Sequence, residues 1–143
     1  MTESSATKTT DRREQPPLSE EERAAARRLI DESEAEEAAA AAGPSRQRVI
    51  FAVVNGDGTL ARGRGAASAT KLATGQYQVL FNRDVDQGAF VATIGLSATG
   101  GEENPGQIVV NLRAGTTNGV FVHTRNTSGA DEDRSFHLVV VHS

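Results

Sequence analysis

The stretch Ser68-Ala-Thr-Lys-Leu-Ala-Thr-Gly-Gln-Tyr-Gln-Val-Leu-Phe-Asn82 predicts a β-hairpin at the centre of the chain. In its second half Tyr77, Val79 and Phe81 occupy alternate positions, which is typical of a strand with one buried face because successive side chains leave opposite sides. Tyr, Val and Phe also suit a pleated surface. Gly75 precedes them and can adopt the positive φ that a short hairpin turn needs.

Further short segments on both sides of this hairpin have the same character. Including the hairpin, the pattern predicts about eight strands at intervals of roughly 8–14 residues, with turn or loop residues between them. The other predicted strands are 49–54, 59–62, 89–94, 107–112, 120–125 and 135–141. This spacing predicts an all-β fold, an antiparallel β-sandwich or a small barrel.

The chain divides into regions of different composition. We predict a disordered leader over residues 1–18, a charged alanine-rich helical segment over 19–43, a linker over 44–48 and the β-domain over 49–143. Ser19 and Glu22 have the spacing of a capping box, which predicts that the helix begins there and runs to Ala42, before Gly43-Pro44.

Charge is distributed unevenly between these regions. Residues 1–47 contain seven Lys/Arg and eleven Asp/Glu, whereas residues 48–143 contain eight of each. A β-domain without net charge gives no electrostatic reason to expect nucleic acid as a partner. The sequence has no long apolar run that would span a membrane and no apolar signal-peptide core.

Motifs for catalysis or for cofactor binding are missing from the sequence. There is no nucleophile elbow, phosphate loop, dinucleotide fingerprint or zinc-protease motif, and no cysteine. His123 and His137 fall on the last two predicted strands, where a metal pair would need a further ligand. Asp131-Glu132-Asp133 forms an acidic loop that could bind calcium, although such a loop is usually only solvated. We therefore predict no enzyme activity, no cofactor and no resident metal.

Several predicted strands carry apolar residues at both odd and even positions. If one set faces the core, the other forms a second apolar face, which predicts a subunit interface in a homo-oligomer; the alternative is that loops cover it. The predicted interface residues are Ile50, Val54, Leu80, Val109, His123, His137, Val139 and Val141. Because the alternation assigns His123 and His137 to the face of Val139 and Val141, assembly would depend on pH.

The predicted helix has few large apolar residues, which leaves three interpretations open. It is a solvated helix that leads to the linker, a docking peptide that meets a partner through Ala26, Leu29, Ile30 and Ser33, or a weak oligomer stalk.

Parts of the predicted β-domain resemble segments of known proteins. The segment Ser68 to Asn82, followed by Ala89-Phe-Val-Ala-Thr93, resembles a β-domain of phage tail-fibre-type proteins. Asn55 to Gly63 and Asn118 to Val122 are similar to segments that recur in uncharacterised actinobacterial β-sandwich proteins. The resemblance implies a trimeric, non-enzymatic attachment module. Together with the lack of a signal peptide, it implies a cytoplasmic or virion-associated location.

These observations favour a structural assembly module. We expect a self-associating β-domain, with a trimer favoured, and an N-terminal segment that docks on a larger protein assembly. The alternative is a ligand-binding module that recognises a glycan or a cell-surface group through loops 95–106 and 126–134. An enzyme is a third, weaker hypothesis.

Overall fold

The computed structural model describes residues 14–39 and 47–142. In this part of the chain there is one helix, α1 (Glu20–Ala39), and eight strands. The strands are β1 (Arg48–Val54), β2 (Leu60–Arg64), β3 (Ala66–Ala73), β4 (Gln76–Phe81), β5 (Ala89–Ile94), β6 (Gln107–Leu112), β7 (Gly119–Arg125) and β8 (Phe136–His142). The predicted disorder of residues 1–13, the predicted end of the helix at Ala42 and most of the predicted linker lie outside the described residues.

The strands form two antiparallel four-stranded sheets, which confirms the predicted all-β class and selects the sandwich over the barrel. The first sheet has the order β2-β1-β8-β5 and the second has the order β3-β4-β7-β6. The β-hairpin loops 55–59 and 74–75 and the longer loops 95–106 and 126–135 lie at one end, which we call the upper end. The connections 82–88 and 113–118 lie at the opposite, lower end.

The central hairpin supplies the middle of the core, as predicted. Tyr77, Val79 and Phe81 of β4 are fully buried and pack between the sheets with residues of β1, β7 and β8. The Tyr77 ring meets Phe136 edge to face, with ring centroids 5.2 Å apart. Its hydroxyl donates a hydrogen bond to the Gly56 carbonyl over 2.8 Å, so the one polar atom of the ring is satisfied.

Gly75 is required by the turn that joins β3 to β4. Its φ is +71°, and a Cβ at this position would lie 2.5 Å from the Thr124 carbonyl oxygen. A side chain would therefore be strained by the backbone conformation and would also collide with β7. Close approach of the turn allows Thr124 N–H to donate to the Gly75 carbonyl over 2.7 Å.

Helix α1 begins at the predicted capping box. The Glu22 carboxylate accepts from the Ser19 N–H over 2.7 Å, and the Ser19 hydroxyl accepts from the Glu22 N–H over 3.1 Å. The helix lies against the lower end of the sandwich and buries Ala26 there, so it is not the fully solvated helix of the first interpretation. No helix in the described part of the chain has the length and apolar character needed to cross a membrane.

The face assignment of β1 differs from the expectation. Ile50, Ala52 and Val54 belong to the core, while Phe51 and Val53 face away from it. The predicted interface role of Ile50 and Val54 is therefore wrong, because their side chains are buried between the sheets. A strand that is apolar at every position carries no alternation from which its inward face can be determined.

Candidate interaction surface

The outward side of the first sheet carries two adjacent rows of apolar side chains. Strand pairing aligns Val49 with Val141, and Val141 with Ala89. The next outward positions align in the same way, with Phe51 opposite Val139 and Val139 opposite Val91. We call these six residues the apolar face: Val49, Phe51, Ala89, Val91, Val139 and Val141.

Two valines of the apolar face are unusually exposed to solvent. Val49 is 54% exposed and Val91 is 63% exposed. An antiparallel sheet with one solvated side is expected to carry polar residues on that side, because exposing apolar side chains to water is unfavourable in free energy. Six apolar residues in contiguous positions across three strands therefore form an apolar surface patch, a feature that is common at interaction sites.

A loop covers the upper edge of this sheet but leaves the apolar face open. The Leu96 carbonyl lies 3.0 Å from His137 Nε2, and the Ser97 hydroxyl donates to the Asn55 side chain over 2.6 Å. Arg62 also donates to the Ser97 carbonyl over 2.8 Å. Beneath this loop Val53 faces outward yet is buried. The loop thus lies against His137 and Val53 of the third outward row and leaves the two apolar rows uncovered.

The outward side of the second sheet is different because its central strands are buried. Gln78, Leu80, Phe121 and His123 face away from the core, but each is almost fully buried. The Phe121 and His123 rings meet edge to face at 6.0 Å. Gln78 accepts a hydrogen bond from Arg113 Nε over 2.7 Å, which joins the sheet to the N-terminal segment described next.

Residues 15–22 bind the second sheet through Arg113, whose side chain has no exposed surface. Arg113 Nη1 donates to the Pro16 carbonyl over 2.5 Å, and Nη2 lies 3.7 Å from a Glu22 carboxylate oxygen. The Gln15 side chain donates to the Leu112 carbonyl and accepts from the Ala114 N–H, over 2.8 and 2.7 Å. Residues 15–16, at the end of the predicted leader, thus contact the β-domain through backbone and side-chain polar groups rather than through an apolar stripe.

The electrostatics of this contact depend on the N-terminal segment. Burial lowers the pKa of Arg113, and the Glu22 carboxylate opposes that change. The pKa of Glu22 lies below its ordinary value, chiefly because the Ser19 N–H donates to it and also because of Arg113. Removal of residues 15–22 would leave a buried guanidinium without its carboxylate, which is an unfavourable state.

The remaining predicted interface residues fall on three different surfaces. Val139 and Val141 lie on the apolar face as predicted, whereas Val109 is 43% exposed on the outward side of the second sheet. Leu80 faces outward as predicted but is buried. The sequence analysis did not predict the outward positions of Val49, Phe51 and Val91; the signal for β1 was the lack of any polar residue from Val49 to Val54.

His123 and His137 do not share a surface, so this part of the prediction is wrong. His123 lies on β7 in the second sheet and His137 lies on β8 in the first sheet. The chain crosses between the sheets after β7 instead of forming a hairpin within one sheet. Only His137 borders the apolar face.

The predicted docking residues of α1 contact their own β-domain. Ala26 is buried, and its carbonyl accepts from the Asn118 side chain over 3.3 Å. Leu29 and Ile30 are half-buried and line clefts on opposite sides of the helix. In this position the helix does not offer Ala26 to another protein.

The acidic loop 126–134 is engaged in ion pairs with its own domain. Asp131 contacts His123 Nε2 at 2.9 Å, Glu132 pairs with Arg134 at 2.6 Å and Asp133 pairs with Lys71 at 2.6 Å. The carboxylates therefore contact different basic side chains, and no group of three or more metal-ligating side chains is found among the described residues. Arg125 donates to His123 Nδ1 over 3.3 Å, so both ring nitrogens of this histidine are engaged.

The two loops proposed for ligand recognition are bonded to one another. Arg134 donates to the Pro105 carbonyl over 3.2 Å, and Ser135 N–H donates to the Glu103 carboxylate over 2.7 Å. The donated hydrogen bond from Ser135 helps to hold the pKa of Glu103 below its ordinary value against the effect of burial. These contacts give the upper end a fixed, internally paired arrangement.

Comparisons with known proteins give no assignment: no family model, no curated protein and no solved structure matches the chain.

Proposed function

We propose that this protein is a non-enzymatic assembly module whose copies associate through the apolar face of the first sheet. The observation that supports the proposal most strongly is the pair of apolar rows, in which Val49 and Val91 are more than half exposed. Burial of apolar area contributes about 25 cal/mol per Å², so covering these rows stabilises an assembled state.

A second copy of the chain is the proposed occupant of this face. Residues 48–143 carry eight positive and eight negative side chains, so net charge does not oppose the approach of one β-domain to another. A face used by every copy also produces a closed, symmetric assembly. The resemblance to tail-fibre-type domains favours three copies. Attachment to a larger protein assembly remains part of the proposal.

The test is the absolute mass of the full chain in solution, measured by light scattering. We expect an oligomer for the native chain and a monomer for Val91→Glu, because a carboxylate within the contact would be buried without a partner. Val91 is exposed on an edge strand, so the monomer tolerates the substitution.

Val109→Glu is the matched control. Val109 is also an exposed valine on an edge strand, but it lies on the second sheet. We expect this variant to keep the native oligomer mass. A native chain that is monomeric at all concentrations would refute the proposal, and so would equal dissociation by the two variants.

A further inference from the structure

Two exposed side chains of opposite charge border the apolar face on opposite flanks. Strand pairing places Arg64 of β2 opposite Phe51, so the second apolar row ends in a cationic residue on that side. On the other side the rows end at β5, and the connection before this strand carries Asp86, three residues before Ala89. Both charged residues are exposed. The β2 flank of the face is therefore basic, and the lower end of the β5 flank is acidic.

Backbone contacts fix Asp86 at the lower end of the β5 flank. Val85 is buried, and its N–H donates to the Thr117 carbonyl over 2.7 Å. The Gly88 N–H donates to the Val85 carbonyl over 2.9 Å, which closes a turn immediately before β5. A Cβ at Gly88 would lie 2.7 Å from the Val141 carbonyl oxygen, so the turn also packs against β8. Asp86 lies within this turn and is held beside the start of β5.

Neither charge is neutralised by the described part of its own chain. Within residues 14–39 and 47–142, the side chains of Arg64 and Asp86 take part in no ion pair or hydrogen bond. Glu32 and Glu36 line a cleft together with Arg64 but lie beyond ion-pair distance of it. Asp84, in the same connection as Asp86, already accepts a hydrogen bond from a threonine hydroxyl. Arg64 and Asp86 are therefore available to another molecule.

The symmetry axis of an assembly determines which flanks of the apolar face meet. Rotation about an axis parallel to the strands brings the β2 flank of one copy beside the β5 flank of the next, for two copies or for three. A two-fold axis that crosses the strands within the plane of contact brings β2 beside β2 instead. The first arrangement brings unlike charges together, whereas the second opposes arginines, and like charges in an interface are unfavourable.

We propose that Arg64 of one copy pairs with Asp86 of the next, so that the copies are related by an axis parallel to the strands of the first sheet. The pairing rests on the proposed function, because only association through the apolar face brings these flanks together, and it adds the orientation of the copies. Arg64 is aligned with the second apolar row and Asp86 lies below the first. Neighbouring rows are two residues apart, or about 7 Å, and the long arginine side chain spans this difference.

The first test reverses the two charges singly and together. The dissociation constant of the assembly is measured by light scattering over a range of concentrations. Arg64→Glu and Asp86→Arg should each raise it at least about tenfold, because each variant opposes like charges. Arg64→Glu/Asp86→Arg should return it to within about threefold of the native value, because the interaction between the two sites is restored.

Arg64→Glu/Glu102→Arg is the matched control for this rescue. It has the same net charge as the rescuing variant, but Glu102 is an exposed carboxylate of the loop 95–106 at the upper end. We expect this control to remain as weakly associated as Arg64→Glu. Circular dichroism of each variant checks that the fold is kept.

The second test reads the orientation of the copies from chemical crosslinks. The chain contains no cysteine, so Arg64→Cys and Asp86→Cys each introduce a single site for a short bismaleimide. Crosslinked copies should form in Arg64→Cys/Asp86→Cys, while each single variant should remain uncrosslinked on a denaturing gel. Within one copy β2 and β5 are three strand spacings apart, about 14 Å, so a short crosslinker joins different copies.

The outcomes distinguish the orientation from the proposed function itself. If the native chain is an oligomer but the two double charge variants associate equally, the pairing of Arg64 with Asp86 is overturned and the proposed function stands. Crosslinking of Arg64→Cys alone would place β2 beside β2 and would overturn the pairing as well. A native chain that is monomeric at all concentrations would refute both.

Discussion

The outward sides of the two sheets differ in burial, although both sheets consist of four short antiparallel strands. On the second sheet Gln78, Phe121 and His123 are buried; Arg113 joins Gln78 to residues 15–22, and Asp131 contacts His123. On the first sheet the apolar rows have no such cover among the described residues, and Val91 is 63% exposed. Polar contacts from the chain itself therefore cover part of one outward side, while the apolar face of the other sheet stays exposed.

This difference in chemistry fits the two occupants, which are a segment of the same chain on the second sheet and, under the proposed function, a second copy on the first. A segment of the same chain is always present, so a buried arginine with specific hydrogen bonds is never left without its partners. A surface that is exposed before assembly must tolerate water. Valine and alanine side chains do so at a modest cost, whereas an unpaired buried charge does not.

Removal of the Arg113 side chain should detach residues 15–22 from the second sheet. Among our predictions it should cause the largest loss of stability. Arg113→Ala leaves Gln78, the Pro16 carbonyl and Glu22 without their common donor. The free energy of unfolding should fall by about 3 kcal/mol, measured by urea denaturation. Amide exchange of residues 15–35 should rise at the same time, because the segment is no longer held.

Arg28→Ala is the control for this prediction, because Arg28 is exposed on α1. Its effect on stability should stay within about 0.5 kcal/mol. If Arg113→Ala were as mild as this control, the N-terminal segment would not depend on the arginine.

The covered side could not have been predicted from the sequence in the way that the core could. Val139 and Val141 were predicted to face outward on β8, and the residues that alternate with them, Phe136, Leu138 and Val140, lie in the core. Arg113 follows a strand and precedes a turn, which is an ordinary position for a solvated side chain. Its burial depends on Gln15 and Pro16, which are almost 100 residues away in the sequence.

The pairing of the strands was the second feature that the sequence could not determine. The sequence indicates how many strands there are, but the distance between β7 and β8 is compatible with a hairpin or with a crossing between sheets. The crossing separates His123 from His137. In β1, Val49 to Val54 are apolar at every position, so a choice between the two faces was arbitrary and placed Ile50 and Val54 on the wrong side.

Protein concentration should change the melting temperature through the first sheet's outward side and not through the second's. This effect is smaller than that of Arg113→Ala. If copies associate through the apolar face, the melting temperature of the native chain should rise by roughly 1–4 °C for each tenfold increase in concentration. Calorimetry across two decades of concentration measures this shift. Val91→Glu should have a melting temperature that does not depend on concentration, while Val109→Glu should behave as the native chain. A constant melting temperature for the native chain would contradict self-association through the apolar face.

The smallest expected effect isolates the charge that Glu22 contributes to the covered side. Glu22→Gln keeps an acceptor for the Ser19 N–H but loses the charge beside Arg113, so the free energy of unfolding at pH 7 should fall by roughly 0.5 kcal/mol.

The pKa of Glu22 is lowered in the folded chain, so its contribution to stability is present above the ordinary value of 4.5 and is lost as pH falls through the lowered folded value. Acid should therefore raise amide exchange of residues 15–35 in the native chain, with a smaller change in Glu22→Gln. Glu21→Gln, an exposed neighbour on α1, should keep the native acid response. An identical acid response in Glu22→Gln and the native chain would show that this carboxylate does not hold the N-terminal segment against the second sheet.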